Sequence, residues 1–589
     1  MRSRLVAAAA ITCLAIPAGI HAVGASAAAP TTVRDVAGLR AVMTDKAVRL
    51  QWQPTRRDLV VLRDGAVIGR VGPGAASFDD VGASPQTSPV YRVGELRRAG
   101  AAAVTAGARV ATHDYKVGGA VRDITPKGVV NLGGFGLGDG TVIPDAIVGR
   151  GGRGEAKTER IKVRATVIDD GKTAIAIADI EVQGWFAAYQ NGKYGLQDMA
   201  AAIAKAVPRL PVKNIVIASD HSHSAPDTIG VWGGPKPGYL DFVKSQVIAA
   251  VKAAYAARSF ANLVAGHSDA SDLVYNQSCT EALNQSKKAE YPGPEICATP
   301  GKDGMVRVLQ ATTPSGRHPL TFMAFAAHAT AGGGNGLHGD WPQFLSDWMT
   351  KKYGGTGLAM VGALGGTQPC RAACAFTKPT NPGYNVADRK TALVLNYGAH
   401  VTKALRSAGR VRGPVRANQG FIREPIVGPA VTALFAAGKR VGAELLRSQK
   451  PPWVNGPTIR TVVGAVRIGD VVIATTPGEG FPRIREDIAT SLGKNAREVI
   501  TLGLANDQLG YLISPAAYVP IIAAQVPVND NIIFNVSPTI GDHVACADIA
   551  LVATLGLPVV APPSCAPYTV EDSLGDPIAA VPVGGIVVP

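Results

Sequence analysis

Two kinds of hydrophobic pattern divide the chain. Up to about residue 107, short alternating runs at 47–52, 59–68 and 90–93 are separated by turn residues. An apolar residue at every second position marks a strand with one buried face. Asp64-Gly65, inside the second run, predicts a hairpin turn. From about residue 116 to 550 the pattern changes, and longer apolar strand-like runs alternate with helix-like stretches such as 196–207 and 238–257. That alternation predicts an α/β domain, a mixed sheet with flanking helices, preceded by a small all-β sandwich domain. The tail from 557 to 589 is rich in Pro, Val, Gly and Ala and reads as an extended wrap. The expected boundaries are therefore 30–112 for the β domain, 113–556 for the α/β domain and 557–589 for the tail.

Composition adds a destination. Arg2 and Arg4, an apolar run to about Ile20 and the small residues 24–29 have the layout of a secretory signal peptide. Residues 1–29 are thus expected to be removed and the protein to be extracellular. Of seven cysteines, Cys13 falls in that leader. The remaining six (Cys279, Cys297, Cys370, Cys374, Cys546 and Cys565) suit an oxidising compartment, and 279–297 and 546–565 are the shortest loops to close. The formal charge is +15, yet only 17% of residues are charged and no long basic run occurs. This argues against nucleic acid as a partner and for, at most, peripheral attraction to an anionic membrane or cell-wall surface. Trp52 on an early strand and Tyr91 on a later one give the N-terminal domain a resemblance to a fibronectin type III-like sandwich.

Candidate chemistry collects at strand ends. Residues 213–219 run into Asp220, His221, Ser222 and His223, and residues 320–327 run into His328. Residues 470–475 run into Thr476-Pro477-Gly478-Glu479, and 498–504 precede Asn506, Asp507 and Tyr511. In open α/β sheets the ligand crevice lies just beyond the carboxyl ends of the strands. His221 and His223, one residue apart, put both rings on one side if the backbone there is extended. A hydrolytic zinc site uses His nitrogens and a carboxylate with one position open to water, and His221, His328 and Glu479 supply such a set. Each has an ordinary alternative as a satisfied core histidine or a helix-start glutamate. Their coincidence in a chain with ten histidines favours a shared metal site.

These segments resemble the motifs of the neutral ceramidases in order along residues 120 to 520. His221-Ser222-His223-Ser224-Ala225-Pro226 is similar to the family's first histidine motif, and residues 325–330 around His328 to its second. Gly339-Asp340-Trp341-Pro342, Thr476-Pro477-Gly478-Glu479 and residues 503–511 ending in Tyr511 follow in sequence. Asp123-Ile124-Thr125-Pro126 and Gly133-Gly134-Phe135-Gly136 are similar to its opening motifs.

The resemblance implies zinc held by His221, His328, Glu479 and Tyr511, with His223 beside the metal handling protons. It also implies a secreted amidohydrolase that cleaves the amide of ceramide or a related N-acyl lipid with a zinc-activated water, and hence a role in sphingolipid metabolism. Asp220, Asp227 and Asp340 are candidates to orient the imidazoles, with a cap or turn role as the ordinary alternative for each, and Asp340 and Gln368 join His223 in the expected catalytic set. Gly366, Thr367 and Gln277 are the expected substrate contacts.

Three departures stand out. The family's serine loop reads Gly365-Gly366-Thr367-Gln368-Pro369 here, its Asn-Arg-Ser motif reads Asn276-Gln277-Ser278, and no C-terminal immunoglobulin-like domain follows. They leave two alternatives: a zinc-dependent esterase on another acyl substrate, and a catalytically silent lipid- or cell-wall-binding relative.

Overall fold

A computed structural model describes residues 32–97, 107–127, 129–134, 153–155, 159–232, 234–235, 238–276, 302–332, 336–369, 386–427, 448, 451–515, 530–565, 568–581 and 586–587. The candidate leader, Gln277 and Cys279, Cys297, Cys370 and Cys374 lie outside them. Two compact units result, the first drawn from residues up to 41, 50–78 and 90–109.

The first unit is all-β. Thr32–Asp35, Val90–Arg97, Leu59–Arg63 and Ala66–Val71 form an antiparallel sheet in that order. The second predicted run is in fact two strands hinged on Asp64 and Gly65, whose φ values of 48° and 85° are those of a tight hairpin turn. Leu50, Trp52, Leu59, Val61, Tyr91 and Val93 fill its core.

The second unit is built on two stacked sheets. In the first, the order is Ile215–Ser219, Ala174–Ile180, Lys162–Asp169, Tyr115–Asp123, Ser259–Asp269, Met305–Thr312, Leu320–Phe325 and Thr356–Val361. Both edge pairs are parallel and the pairs between them antiparallel, so the sheet is mixed. The second sheet runs Glu498–Leu502, Val471–Thr475, Thr458–Ile468, Val415–Pro425, Tyr568–Glu571 and Pro577–Val581.

Strand sequences such as IVIAS, LTFMAF and VVIAT are apolar throughout because both of their faces are covered. One face of each sheet packs on the other sheet: Val117, Ile177, Leu263, Phe322 and Leu358 from the first meet Val415, Val466, Ile473 and Leu502 from the second. Helices Leu196–Ala206 and Tyr239–Ala257 cover the outer face of one half of the first sheet. Asp340–Tyr353 and Val386–Arg406 cover the other half. Pro482–Leu492 and Ile540–Thr554 cover the second sheet. The order helix, sheet, sheet, helix places the core in three slabs. No helix among the described residues is long and apolar enough to cross a membrane.

The tail is not a simple wrap. Tyr568–Glu571 and Pro577–Val581 form a hairpin that extends the second sheet, with Val570 buried against it. Cys546 and Cys565, one of the two short-loop pairings expected, are bridged and tie the last helix to the start of this tail.

That helix also holds Asp548, fully buried and with neither carboxylate oxygen bonded. Burial pushes its pKa well above the ordinary value, so it is protonated in the folded chain over pH values at which the unfolded chain is ionised. Stability is then highest below the unfolded pKa and declines as pH rises toward the folded one. Asp548→Asn should match wild type near pH 4 and show a smaller loss of melting temperature toward pH 8, measured by thermal denaturation at several pH values.

Candidate metal centre

Three parallel strand pairs deliver the site. Ile215–Ser219 ends just before His221, Leu320–Phe325 just before His328, and Val471–Thr475 just before Glu479. A two-residue parallel pairing sets Glu479 opposite Tyr511. The loops between turn sharply. His221, Asp340, Leu504 and Asn506 all have positive φ, between 47° and 68°. Left-handed backbone costs a non-glycine residue about 1–2 kcal/mol, so the surrounding packing must hold it there. His221 is therefore not in the extended backbone that the H-x-H spacing suggests. The two rings still meet, because the turn at 221 redirects the chain between them.

The result is one buried cluster of imidazole, carboxylate and phenol groups. Ring nitrogens of His221, His223 and His328 lie within 4.8 Å of one another. His223 Nε2 is 3.2 Å from His221 Nε2. Glu479 Oε2 is 3.0 Å from His328 Nε2 and 3.4 Å from His221 Nε2. The Tyr511 hydroxyl is 3.4 Å from His328 Nε2. His221, His328, Glu479 and Tyr511 are all buried, and His223 is half-buried.

The tautomers follow from the backbone. His221 Nδ1–H donates to the Gln183 carbonyl at 2.8 Å, and His328 Nδ1–H to the Thr367 carbonyl at 2.9 Å. A carbonyl only accepts, so each ring turns its Nε2 toward the cluster. Lone pairs of several imidazoles and a carboxylate facing one another repel unless a positive charge sits among them. This donor set of nitrogen and hard oxygen atoms fits a divalent cation such as zinc.

Without a metal, the charges settle among the side chains. Burial alone would lower the pKa of His221, but the charge and hydrogen bond of Glu479 raise it above the ordinary value. Burial opposes ionisation of Glu479 too, and the two imidazoles outweigh it, holding the carboxyl well below the usual range. Burial, then the charges of His221 and His328, hold His223 well below its ordinary value.

The aspartates serve the loops around this cluster. Asp227 accepts backbone N–H bonds from Ile229, Gly230, Trp232 and Gly234, at 2.6 to 3.0 Å. Asp340 accepts those of Ala331, Gly332 and Trp341, and Asp220 that of Ser222. The bonds that orient the imidazoles of His221 and His328 go instead to the carbonyls of Gln183 and Thr367. Sequence reasoning missed this role for Gln183, since a backbone acceptor carries no side-chain signature.

Gln368 lies on strand Thr367–Pro369, and its Oε1 accepts from the hydroxyl of Thr330, two residues beyond His328. Thr367 is fully buried and reaches His328 through its carbonyl. Gly366 lies against the ring of Phe481. Its neighbour Gly365 donates its N–H to the Gly480 carbonyl at 2.8 Å, an approach that a side chain would block, since a Cβ there would lie 2.4 Å from the Glu479 carbonyl oxygen.

No family model matches the chain, and no curated protein sequence does. The fold does have solved counterparts. Neutral ceramidase from Pseudomonas aeruginosa superposes with a TM-score of 0.57 at 17% identity, covering 75% of this chain and 74% of that one. A structure described as ceramidase complexed with C2 gives 0.56 at 18%, covering 77% and 78%. The second unit is thus a mixed α/β scaffold with a buried imidazole and carboxylate cluster. Its architecture is that of the neutral ceramidases, as the motif order in the sequence implied.

Proposed function

We propose that the protein is a secreted, zinc-dependent amidohydrolase of ceramidase type that splits the amide of an N-acyl lipid. One observation carries the reading: imidazoles from two distant segments, a glutamate and a phenol converge with their donor atoms turned inward, in a fold shared with ceramidases. His221, His328, Glu479 and Tyr511 would hold the metal, with His223 close enough to join them or to stand beside it. Bound zinc brings the pKa of a water close to 7 and polarises a carbonyl.

The chain's own part is to position and to move a proton. The carbonyls of Gln183 and Thr367 fix the rings of His221 and His328, and the burial of these side chains limits access of bulk water. His223 takes the proton that the attacking water gives up and returns it to the amine nitrogen as the C–N bond breaks. One water is thereby divided between the acyl carbon and the leaving amine.

The reading is tested by offering the purified protein N-acyl-sphingosines, simpler N-acyl amines and chromogenic esters, with and without a chelator. Fatty-acid release from amides that the chelator abolishes and zinc restores is expected. Cleavage of esters alone would move the assignment to an esterase. No metal-dependent cleavage of any substrate would end it.

A further inference from the structure

The segment before residue 135 was singled out only as an opening motif, yet it lies directly on the metal centre. Its backbone is zipped to the chain that follows His223. Asp227 N–H donates to the Asn131 carbonyl at 2.9 Å, Leu132 bridges Pro226, and Gly133 N–H donates to the Ala225 carbonyl at 3.1 Å. The two glycines that end the segment are then pressed against the groups that build the site. A Cβ added to Gly134 would lie 2.3 Å from Cγ, 2.5 Å from Cδ2 and 2.6 Å from Nδ1 of His223. A Cβ on Gly133 would lie 2.5 Å from Cγ of Gln183, the residue whose carbonyl receives His221 Nδ1–H. Gly134 also has φ +94°, a conformation that L side chains rarely adopt.

We propose that Gly133 and Gly134 are positioning residues: bare backbone at 134 is the seat that sets the His223 ring. Real Cβ atoms essentially never approach other heavy atoms so closely, and the imidazole has little freedom to yield. The edge of its ring packs against His221, with centroids 4.8 Å apart, and against His328 at 6.0 Å. The backbone N–H of His223 is tied to the Ala329 carbonyl at 3.1 Å. A methyl at 134 would therefore turn the ring and carry its Nε2 away from His221 Nε2. A methyl at 133 would act on the other histidine, through Gln183. The inference deepens the zinc reading, but it concerns the placement of a ring and can be read without metal.

Metal-free protein carrying 15N only in its histidines reports each ring directly. The His223 signals are identified by their absence in His223→Ala. Gly134→Ala is expected to shift those signals while leaving those of the half-buried His318 and the exposed His267 in place. Unmoved His223 signals, or equal movement of every histidine signal, would overturn the proposal.

A thermal cycle covers the case in which Gly134→Ala folds poorly. Removing the ring with His223→Ala should then recover most of the lost melting temperature, and an equal loss with and without the ring refutes the seat. In a zinc competition against a chromophoric chelator, Gly134→Ala should weaken binding at least about tenfold in the wild-type background but less than about twofold in His223→Ala. Losses that multiply in the double variant contradict the proposal. Failure of wild type to bind zinc would count against the function proposed above and leave the ring readout standing.

Discussion

Glu479→Ala is expected to leave the purified protein without its metal. Glu479 is the anionic member of the cluster, and its Oε2 approaches two imidazoles from a buried position. Without it, neutral nitrogens and one phenol would have to balance a divalent charge at a buried site, where an uncompensated charge is costly. Changes behind metal ligands already cost about 10- to 100-fold in affinity, so loss of the carboxylate itself should exceed about 100-fold. Elemental analysis after dialysis should show wild type close to one equivalent of zinc and Glu479→Ala nearly none. Hydrolysis should fall with the metal. Full metal content in the variant would remove Glu479 from the site.

Arg164→Met is expected to be the most damaging substitution away from the cluster. Arg164 lies on strand Lys162–Asp169, and only about 1% of its side chain is exposed. Its Nε donates to Glu181 at 2.8 Å and its Nη2 to Asp347 at 2.6 Å. Asp179 sits directly opposite it across the strand pair. Burial pushes Asp179 and Glu181 above their ordinary pKa values, and the Arg164 charge is what opposes this shift in both. Removing one partner of a buried pair typically costs about 3–5 kcal/mol, because the other charge is left uncompensated. Denaturant unfolding should register a loss of that order. Lys162→Met, which removes the more exposed partner of the same Asp347, should cost under about 1 kcal/mol.

Strands were the most legible elements, and for a physical reason. A strand covered on both faces must be apolar throughout, so residues 213–219, 320–327 and 470–475 declare themselves and end within two residues of the observed strands. Their carboxyl ends also announce the site, because the histidines and the glutamate, each ordinary alone, recur at three such ends.

What stayed hidden was set by contacts distant in sequence. Nothing near His221 shows that it turns left-handed, or that Gln183 and Thr367 will offer it and His328 their carbonyls. The aspartates offered two readings, imidazole partner or cap and turn residue, and their bonds follow the second, because a carboxylate in a tight loop meets backbone N–H donors first. Arg164 looks like one more polar residue in a strand until the topology sets Asp179 and Glu181 beside it. The tail's low-complexity text concealed two strands on the sheet edge.

The central claim is that side chains from four places in the chain surround one divalent cation, and X-ray absorption at the zinc edge of the purified protein tests it most directly. The account predicts a first shell of nitrogen and oxygen donors at about 2.0–2.2 Å, with the multiple-scattering signature of two or three imidazoles. Zinc ringed by sulfur, or zinc whose imidazole signature survives in a His221→Ala, His328→Ala double variant, would contradict it.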